Sequence, residues 1–328
     1  MSTVISTRVR LARNLKDYPF PCKLSQQDRE KVIELVKKAI TESNSAIAND
    51  FHFIKISDLN PRQAVSLVER RLVSPEFISE SDGRALLLSK DESVSIMLNE
   101  EDHIRLQVIK KGLSLEETYK EADRLDTLLD ENLSFAFDEK LGYLTQCPTN
   151  LGTGMRASVM LHLPALEKSR AISRIAGNLS KLGLTIRGAH GEGTEPQGAL
   201  YQLSNQVTLG ISEKAAIENL KSITAQLVAQ EEQARERLCE SIEVQDTISR
   251  SLGVLKYAKL IEHGEALKLL SNVRLGIESG QIKDIDSAVI DRLMLDVEPA
   301  TLSVALGKSL SPHDRDEQRA KLIQKRLN

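Results

Sequence analysis

The chain has 328 residues, of which 41% are hydrophobic and 28% charged, and its formal net charge is −3. This length suits a catalytic domain with a smaller companion, and a charge so close to neutral supplies no global field drawing the protein to DNA or to a membrane. Aromatic residues make up only 3% and tryptophan is absent, which argues against a base-stacking platform for single-stranded nucleic acid.

In chain order, Ser25 reads as a helix N-cap. Phe51-His52-Phe53-Ile54-Lys55-Ile56 alternates as a half-buried strand does, and Asn60-Pro61 supplies the cap and first-turn proline of the next helix. Arg84 to Leu88 and Ser93 to Leu98 are apolar runs joined by Lys90-Asp91-Glu92, a hairpin pattern that leaves Asn99-Glu100-Glu101-Asp102 at a strand end. Ser114, with Glu117 three residues on, opens another helix. Ser158 to Leu163 is a further strand, and Leu184 to Arg187 begins one that runs into a glycine-rich stretch. From Ser212 the apolar positions recur at three and four (Ala216, Leu220, Ile223, Leu227), predicting helices with breaks near Gly253, Gly264 and Gly280. A boundary therefore falls near residue 210, with a mixed domain over 1–210 and a helical one over 211–328. Hairpins followed by helices, without a regular strand-helix rhythm, predict an α+β fold.

Cys22, Cys147 and Cys239 are spaced as neither a disulfide framework nor a zinc site would be. With no basic-then-apolar leader and no apolar run of membrane-spanning length, a cytoplasmic protein is expected. Three short motifs mislead. Gly152-Thr153-Gly154-Met155-Arg156-Ala157 matches the dinucleotide fingerprint but leads into a strand where that fingerprint needs a helix. Leu306-Gly307-Lys308-Ser309 lacks the first glycine of a phosphate-binding loop, and His313-Asp314-Arg315-Asp316 stands without the other motifs of a protein-kinase core.

Arginines in apolar or glycine-rich settings carry more weight: Arg8, Arg10, Arg105, Arg156 and Arg187. Arg8 and Arg10 are two apart and so project from one face of a strand. Each alone reads as a solvated surface charge, yet a set of planar guanidinium forks suits phosphate oxygens. Glu100-Glu101-Asp102 alone reads as a charged turn. Glu192 lies in Gly188-Ala189-His190-Gly191-Glu192-Gly193, a composition able to close over a ligand.

Four stretches together resemble the phosphagen (guanidino) kinase family: Val4 to Leu15 with its Ser-Thr-Arg-Val-Arg, residues 99–105 (Asn-Glu-Glu-Asp-His-Ile-Arg), residues 141–158 with Thr-Gln-Cys-Pro-Thr-Asn, and residues 187–195 (Arg-Gly-Ala-His-Gly-Glu-Gly-Thr-Glu). The helical remainder resembles the C-terminal domain of the protein-arginine kinase branch, whose Arg-Asp-x-x-Arg-Ala motif stands here as Arg315 to Ala320. The resemblance implies an antiparallel sheet flanked by helices, then an all-helical domain. It also implies ATP and Mg2+ as cofactors, with Arg8, Arg10, Arg105, Arg156 and Arg187 on the nucleotide phosphates. Glu101 and Glu192 match the carboxylates that hold the guanidinium, Cys147 matches the reactive cysteine, and Arg315, Asp316 and Arg319 match an allosteric phosphoarginine site. Implied partners are protein substrates presenting arginine, a zinc-finger activator protein, a Clp-type chaperone-protease and a stress-response repressor as substrate. Neither membrane nor direct nucleic-acid binding is implied, and a homo-oligomer stays open. Arg71 stands where the branch's nucleotide-contacting histidine is expected, and few residues precede Arg8. The small helical N-terminal domain of creatine and arginine kinases has no counterpart. A kinase of free arginine and a catalytically idle stress adaptor are the alternative readings.

Overall fold

The computed structural model describes residues 3–42, 49–188 and 197–328. The strands are β1 (Val4–Arg13), β2 (Phe51–Lys55), β3 (Ala85–Ser89), β4 (Val94–Leu98), β5 (Ile104–Lys111), β6 (Phe137–Asp138), β7 (Gly142–Tyr143), β8 (Met155–His162), β9 (Leu184–Gly188) and β10 (Leu200–Asn205). The α-helices are α1 (Gln26–Thr41), α2 (Pro61–Glu69), α3 (Pro75–Ser79), α4 (Leu115–Asp130), α5 (Pro164–Lys168), α6 (Ile172–Lys181), α7 (Glu213–Cys239), α8 (Ile242–Tyr257), α9 (His263–Glu278), α10 (Ser287–Asp296), α11 (Pro299–Ala305) and α12 (Pro312–Leu327). Packing divides the chain into two compact units: Ser6–Ser158 with Ser204–Lys221, and Met1–Ile5 with Val159–Leu203 and Ser222–Asn328.

In the first unit the strands neighbour one another in the order β2-β3-β4-β5-β1-β8. The pairs from β2 to β1 are antiparallel, with Ala12 opposite Arg105 and Arg10 opposite Gln107. Every residue of β3 and β4 is buried, as central strands covered on both faces require. The helix starts follow from local chemistry: Ser25 Oγ accepts the Asp28 N–H at 3.2 Å, and Asn60 forms a reciprocal capping box with Gln63. Ser114 begins α4 without a side-chain cap.

The glycines of the false dinucleotide fingerprint have a packing reason. Gly152 has φ +109°, and a Cβ there would stand 2.3 Å from the Thr208 carbonyl oxygen. Gly154 has φ +59°, and its Cβ would meet the Ala12 oxygen at 2.6 Å. Both positions need a residue without a side chain.

In the second unit, Met160 and Leu200 join apolar residues of α8, α9, α10 and α12 in one core, with Ile5 against it. Strand residues are therefore drawn into the helical unit, and the division follows a different path from a single cut at residue 210. Gly253 lies inside α8, and the interruption comes instead at residues 240–241. Gly280 does follow a helix end, with φ +77°. The same unit buries an ion network. Glu278, its side chain shut off from solvent, receives Arg235 Nη1 at 2.8 Å and the Arg274 fork, while Arg274 Nε reaches Asp291 at 2.6 Å.

Candidate active site

The antiparallel register brings the arginines of β1 and β5 together, and β8 adds another. Arg8 Nε lies 3.4 Å from Ser158 Oγ on β8, two residues from Arg156 and on the same face. Lost hydration, then the nearby charges of Arg105, Arg71 and Arg156, lowers the Arg8 pKa to about 9. Arg10 is pushed well down by lost hydration and by Arg8, Arg105 and Arg156, opposed only by Glu100. Arg8, Arg10, Arg105 and Arg156 thus stand within electrostatic reach of one another, with Arg71 beside Arg8 and the Glu100 carboxylate beside Arg10. Arg10 Nε is buried with no hydrogen-bond partner among the described residues. A polyanion would relieve both the repulsion and the unsatisfied donor, so the residues present fit a nucleotide polyphosphate.

The three adjacent acids have three different surroundings. Glu100 is buried and receives both Ser74 Oγ and Arg105 Nη1. Asp102 is buried, accepts the Asn14 amide at 2.6 Å and the Gln146 N–H at 2.8 Å, and is held above its ordinary pKa chiefly by desolvation. Glu101 is only partly buried and accepts a long 3.3 Å bond from Asn150 Nδ2. The turn that separates their fates rests on Asn99, at φ +60°, whose amide donates to the Arg29 and Gly83 carbonyls. Cys147, half-buried, lies in the same loop as Asn150, with Sγ 3.0 Å from Thr149 Oγ1.

Two family models match the chain: the catalytic domain of the ATP:guanido phosphotransferases over residues 31–234, and the C-terminal domain of the protein-arginine kinase McsB over residues 241–328. The protein-arginine kinase of Halothermothrix orenii is 49% identical over 327 residues, covering 99% of this chain and 93% of the relative. That of Caldanaerobacter subterraneus subsp. tengcongensis is 45% identical, over 99% and 97%. The chain belongs to the protein-arginine kinase branch of the ATP:guanido phosphotransferases. Among solved structures, the duplicated taurocyamine kinase of Schistosoma mansoni with bound transition-state-analogue components is 30% identical with a TM-score of 0.63, over 70% of this chain and 33% of that one. A lombricine kinase is 26% identical at a TM-score of 0.61, over 70% and 66%. The phosphagen kinase fold, with its antiparallel sheet and C-terminal helical region, is thus the architecture of this chain.

Of the residues that motif comparison assigns to the phosphotransferase site, Arg8, Arg10, Arg105, Arg156, Glu101 and Cys147 lie in the first unit. Arg187 is exposed on β9 in the second, and Glu192 lies outside the described residues. Sequence reasoning undervalued Arg71 and Glu100. Arg71 sits at φ +64°, its carbonyl accepts Gln107 Nε2 at 3.0 Å, and its charge acts on Arg8. The signal was there, since Arg71 occupies the position of an expected nucleotide-contacting residue. Glu100 could be told from Glu101 only by which carboxylate the turn buries.

In the second unit, α12 begins with a Ser311–Asp314 capping box. Arg319 points inward: Nε donates to the Val297 carbonyl at 2.9 Å, and Nη1 to the Ile261 carbonyl at 2.8 Å and to Asp316 Oδ1 at 2.6 Å. Arg315 and the Asp316 carboxylate remain partly exposed. The motif match placed Arg319 among residues for a phosphoarginine, whereas in the fold Arg319 is a buried strut that orients Asp316.

Next to Glu101, His103 is fully buried between Leu15 N–H, which donates to Nδ1 at 3.0 Å, and the Pro19 carbonyl, 2.9 Å from Nε2. Burial lowers its pKa to about 4, so the folded ring is neutral while the unfolded one protonates near pH 6.5. The folded-state pKa is depressed, so the unfolded chain binds the extra proton below pH 6.5, and stability is lost as pH falls from there toward 4. The expected loss is about 3 kcal/mol from this residue. Urea unfolding of wild type and His103→Gln at pH 7 and pH 4 checks it: equal pH dependence in both proteins would remove His103 as the cause.

Proposed function

We infer that this chain transfers the γ-phosphoryl group of ATP to arginine side chains of proteins. The observation that carries the reading is the cluster of Arg8, Arg10, Arg71, Arg105 and Arg156 with the buried Glu100 carboxylate, beside Glu101, which is left partly accessible. A guanidinium has a pKa above ~12 and is a poor nucleophile until aligned and relieved of a proton. Glu101 would orient one edge of the incoming guanidinium, with Glu192 as the proposed second carboxylate, and take the proton as the reacting nitrogen bonds to phosphorus. The bond from phosphorus to the ADP oxygen breaks in the same step. Arg8, Arg10, Arg105 and Arg156 hold the phosphate oxygens, with Arg187 assigned the same role on family grounds, and Glu100 keeps Arg105 in place. Alignment supplies the larger share, roughly 7–11 kcal/mol in well-oriented cases, against about 10²–10⁴-fold for general base help. Magnesium, carried on the nucleotide phosphates, would add charge neutralisation as charge shifts to the leaving oxygen. Cys147, in the loop bearing Asn150, is assigned to the acceptor side of the site.

The test is one incubation with ATP, free arginine and an unfolded protein, followed by analysis for acid-labile, alkali-resistant phosphate. Label on protein is expected. Label on free arginine alone would move the chain to the small-guanidine kinases, and none would make it an idle adaptor.

We also propose, from membership of the branch, a phosphoarginine site at Asp316 and Arg315, with Arg319 positioning Asp316. Phosphoarginine is expected to raise the initial rate in wild type, and Asp316→Ala to weaken that response at least tenfold. Equal binding by both proteins, or binding without a rate change, would reject the coupling that allostery requires. A zinc-finger activator, a Clp-type protease, a repressor substrate, a homo-oligomeric state and a cytoplasmic location are proposals from family membership. Among the described residues no helix is long and apolar enough to cross a membrane.

A further inference from the structure

Among the exposed large apolar side chains of the first unit, four lie on the β6–β7 hairpin and the stretch after β10. Phe137 on β6 is 58% exposed, Leu141 in the β6–β7 turn 43%, and Val207 and Leu209 after β10 are 46% and 47% exposed. Those two segments are bound to each other through the loop that carries Cys147 and Asn150. Tyr143 on β7 pairs with Gly152, its N–H 2.8 Å from the Gly152 oxygen. On the other side, Thr208 Oγ1 donates to the Thr149 and Leu151 carbonyls at 3.0 and 2.7 Å, and Leu209 Cα lies against Gly152, where a Cβ would approach it to 2.8 Å. Asn14 ties the base of the hairpin to the acidic turn. Its carbonyl accepts the Ala136 N–H at 2.7 Å, while its side chain holds Asp102 and the His103 N–H. The apolar residues and Glu101 are thus mounted on one hydrogen-bonded scaffold.

The hairpin is braced by its own contacts. Asp138 Oδ1 accepts the N–H groups of Lys140 and Leu141 at 2.8 and 2.9 Å, and the Phe137 ring meets Tyr143 edge-on at 5.2 Å. Glu139 and Lys140 are both exposed at the hairpin turn, and Tyr143, whose pKa is raised chiefly by burial, has Arg13 stacked on its ring at 3.5 Å as well as Asp126, Asp130 and Glu213 within electrostatic reach. With Arg13 already paired to Asp126, the acids Asp130, Asp138, Glu139 and Glu213 outnumber Lys140 around the apolar side chains, a balance that complements a cationic residue with apolar neighbours. Exposed single hydrophobes need no explanation, but four of them on two segments hydrogen-bonded to the loop that carries Asn150, the partner of Glu101, do.

We propose that Phe137, Leu141, Val207 and Leu209 form a docking platform for the substrate polypeptide, selecting arginines flanked by apolar residues in extended chain. This deepens the protein-arginine kinase reading and rests on Glu101 marking the acceptor site. Apolar neighbours of an arginine are accessible where a substrate is locally unfolded, and burying two of them would be worth about tenfold in KM, roughly 1.4 kcal/mol.

The experiment compares two peptides, each with one arginine, flanked either by leucines or by serines. Wild type is expected to show kcat/KM about tenfold higher for the leucine peptide. Phe137→Ser/Leu209→Ser should bring the ratio close to one through KM, with the ATP KM and the activity on the serine peptide retained. If that double variant loses activity on the serine peptide, Leu141→Ser/Val207→Ser provides the same comparison. A ratio near one in wild type, or an unchanged ratio in the folded variants, overturns the proposal. So does a change in oligomeric mass with the ratio preserved, which would make the platform a contact between copies of this chain. Glu101→Gln separates the two readings. Turnover by that variant counts against the acceptor site on which the platform rests, whereas a dead Glu101→Gln with an unchanged flanking ratio in the platform variants counts against the platform alone.

Discussion

Glu101→Gln is expected to lower kcat on a protein substrate by about 10²–10⁴ while leaving ATP affinity and thermal stability close to wild type. The expectation follows from the way the turn divides its acids. Glu101 is partly exposed and makes one long hydrogen bond, to Asn150, so little of the fold depends on its charge. Glu100 is buried under Ser74 and Arg105, and Glu100→Gln would remove the carboxylate acting within the arginine cluster. That second variant should weaken ATP binding and turnover together, because Arg105 would lose its orientation in ground and transition states alike. Initial rates with nucleotide calorimetry on both variants decide the assignment. Activity within a few-fold of wild type for Glu101→Gln, with Glu100→Gln inactive at unchanged ATP affinity, would transfer the acceptor role to Glu100.

Glu278→Gln should cost about 3–5 kcal/mol of stability, the range for breaking a buried ion pair by removing one partner. The side chains of Glu278 and Arg274 are almost wholly shut off from solvent and that of Arg235 nearly so, so the amide would remove the carboxylate that Arg235 and Arg274 share and leave Arg274 to Asp291. Despite desolvation, His162, Arg274 and Arg235 hold the Glu278 pKa down to about 2. Its stabilisation is therefore present above the ordinary carboxylate pKa and is lost as pH falls from there through about 2. His162, with Nδ1 3.6 Å from Glu278, is itself kept below its ordinary pKa chiefly by burial, against the pull of that carboxylate. Denaturant unfolding of Glu278→Gln beside exposed Glu236→Gln checks the claim. The control should stay within about 0.5 kcal/mol of wild type, and a loss under about 1 kcal/mol for Glu278→Gln would show that the network contributes little.

Local chemistry was sufficient for much of the fold. The alternation at Phe51–Lys55, the Asn60–Gln63 capping box and the hairpin of β3 and β4 depend on neighbours a few residues apart, so the chain states them directly. The same holds for the rejection of the dinucleotide fingerprint, because residues after Gly154 alternate as a strand. Gly253 shows the limit of such reading. A glycine inside a helix costs only about 1 kcal/mol against alanine, and α8 absorbs it through packing that sequence does not display.

The site divides along the same line. Residue type and order carried the family, and with it the proposed roles of the arginines, the acidic turn and Cys147, because those motifs are long and their chemistry restricts which side chains serve. Tertiary structure alone decided which acid is buried, that Arg71 joins Arg8, that Arg319 spends its fork on two carbonyls, and that strand residues from Val159 onward pack with the helices. Each of these depends on partners far apart in the chain, Glu100 with Ser74 or Arg319 with Ile261. Burial and charge proximity come into being only when the antiparallel register and the helical core bring such partners together.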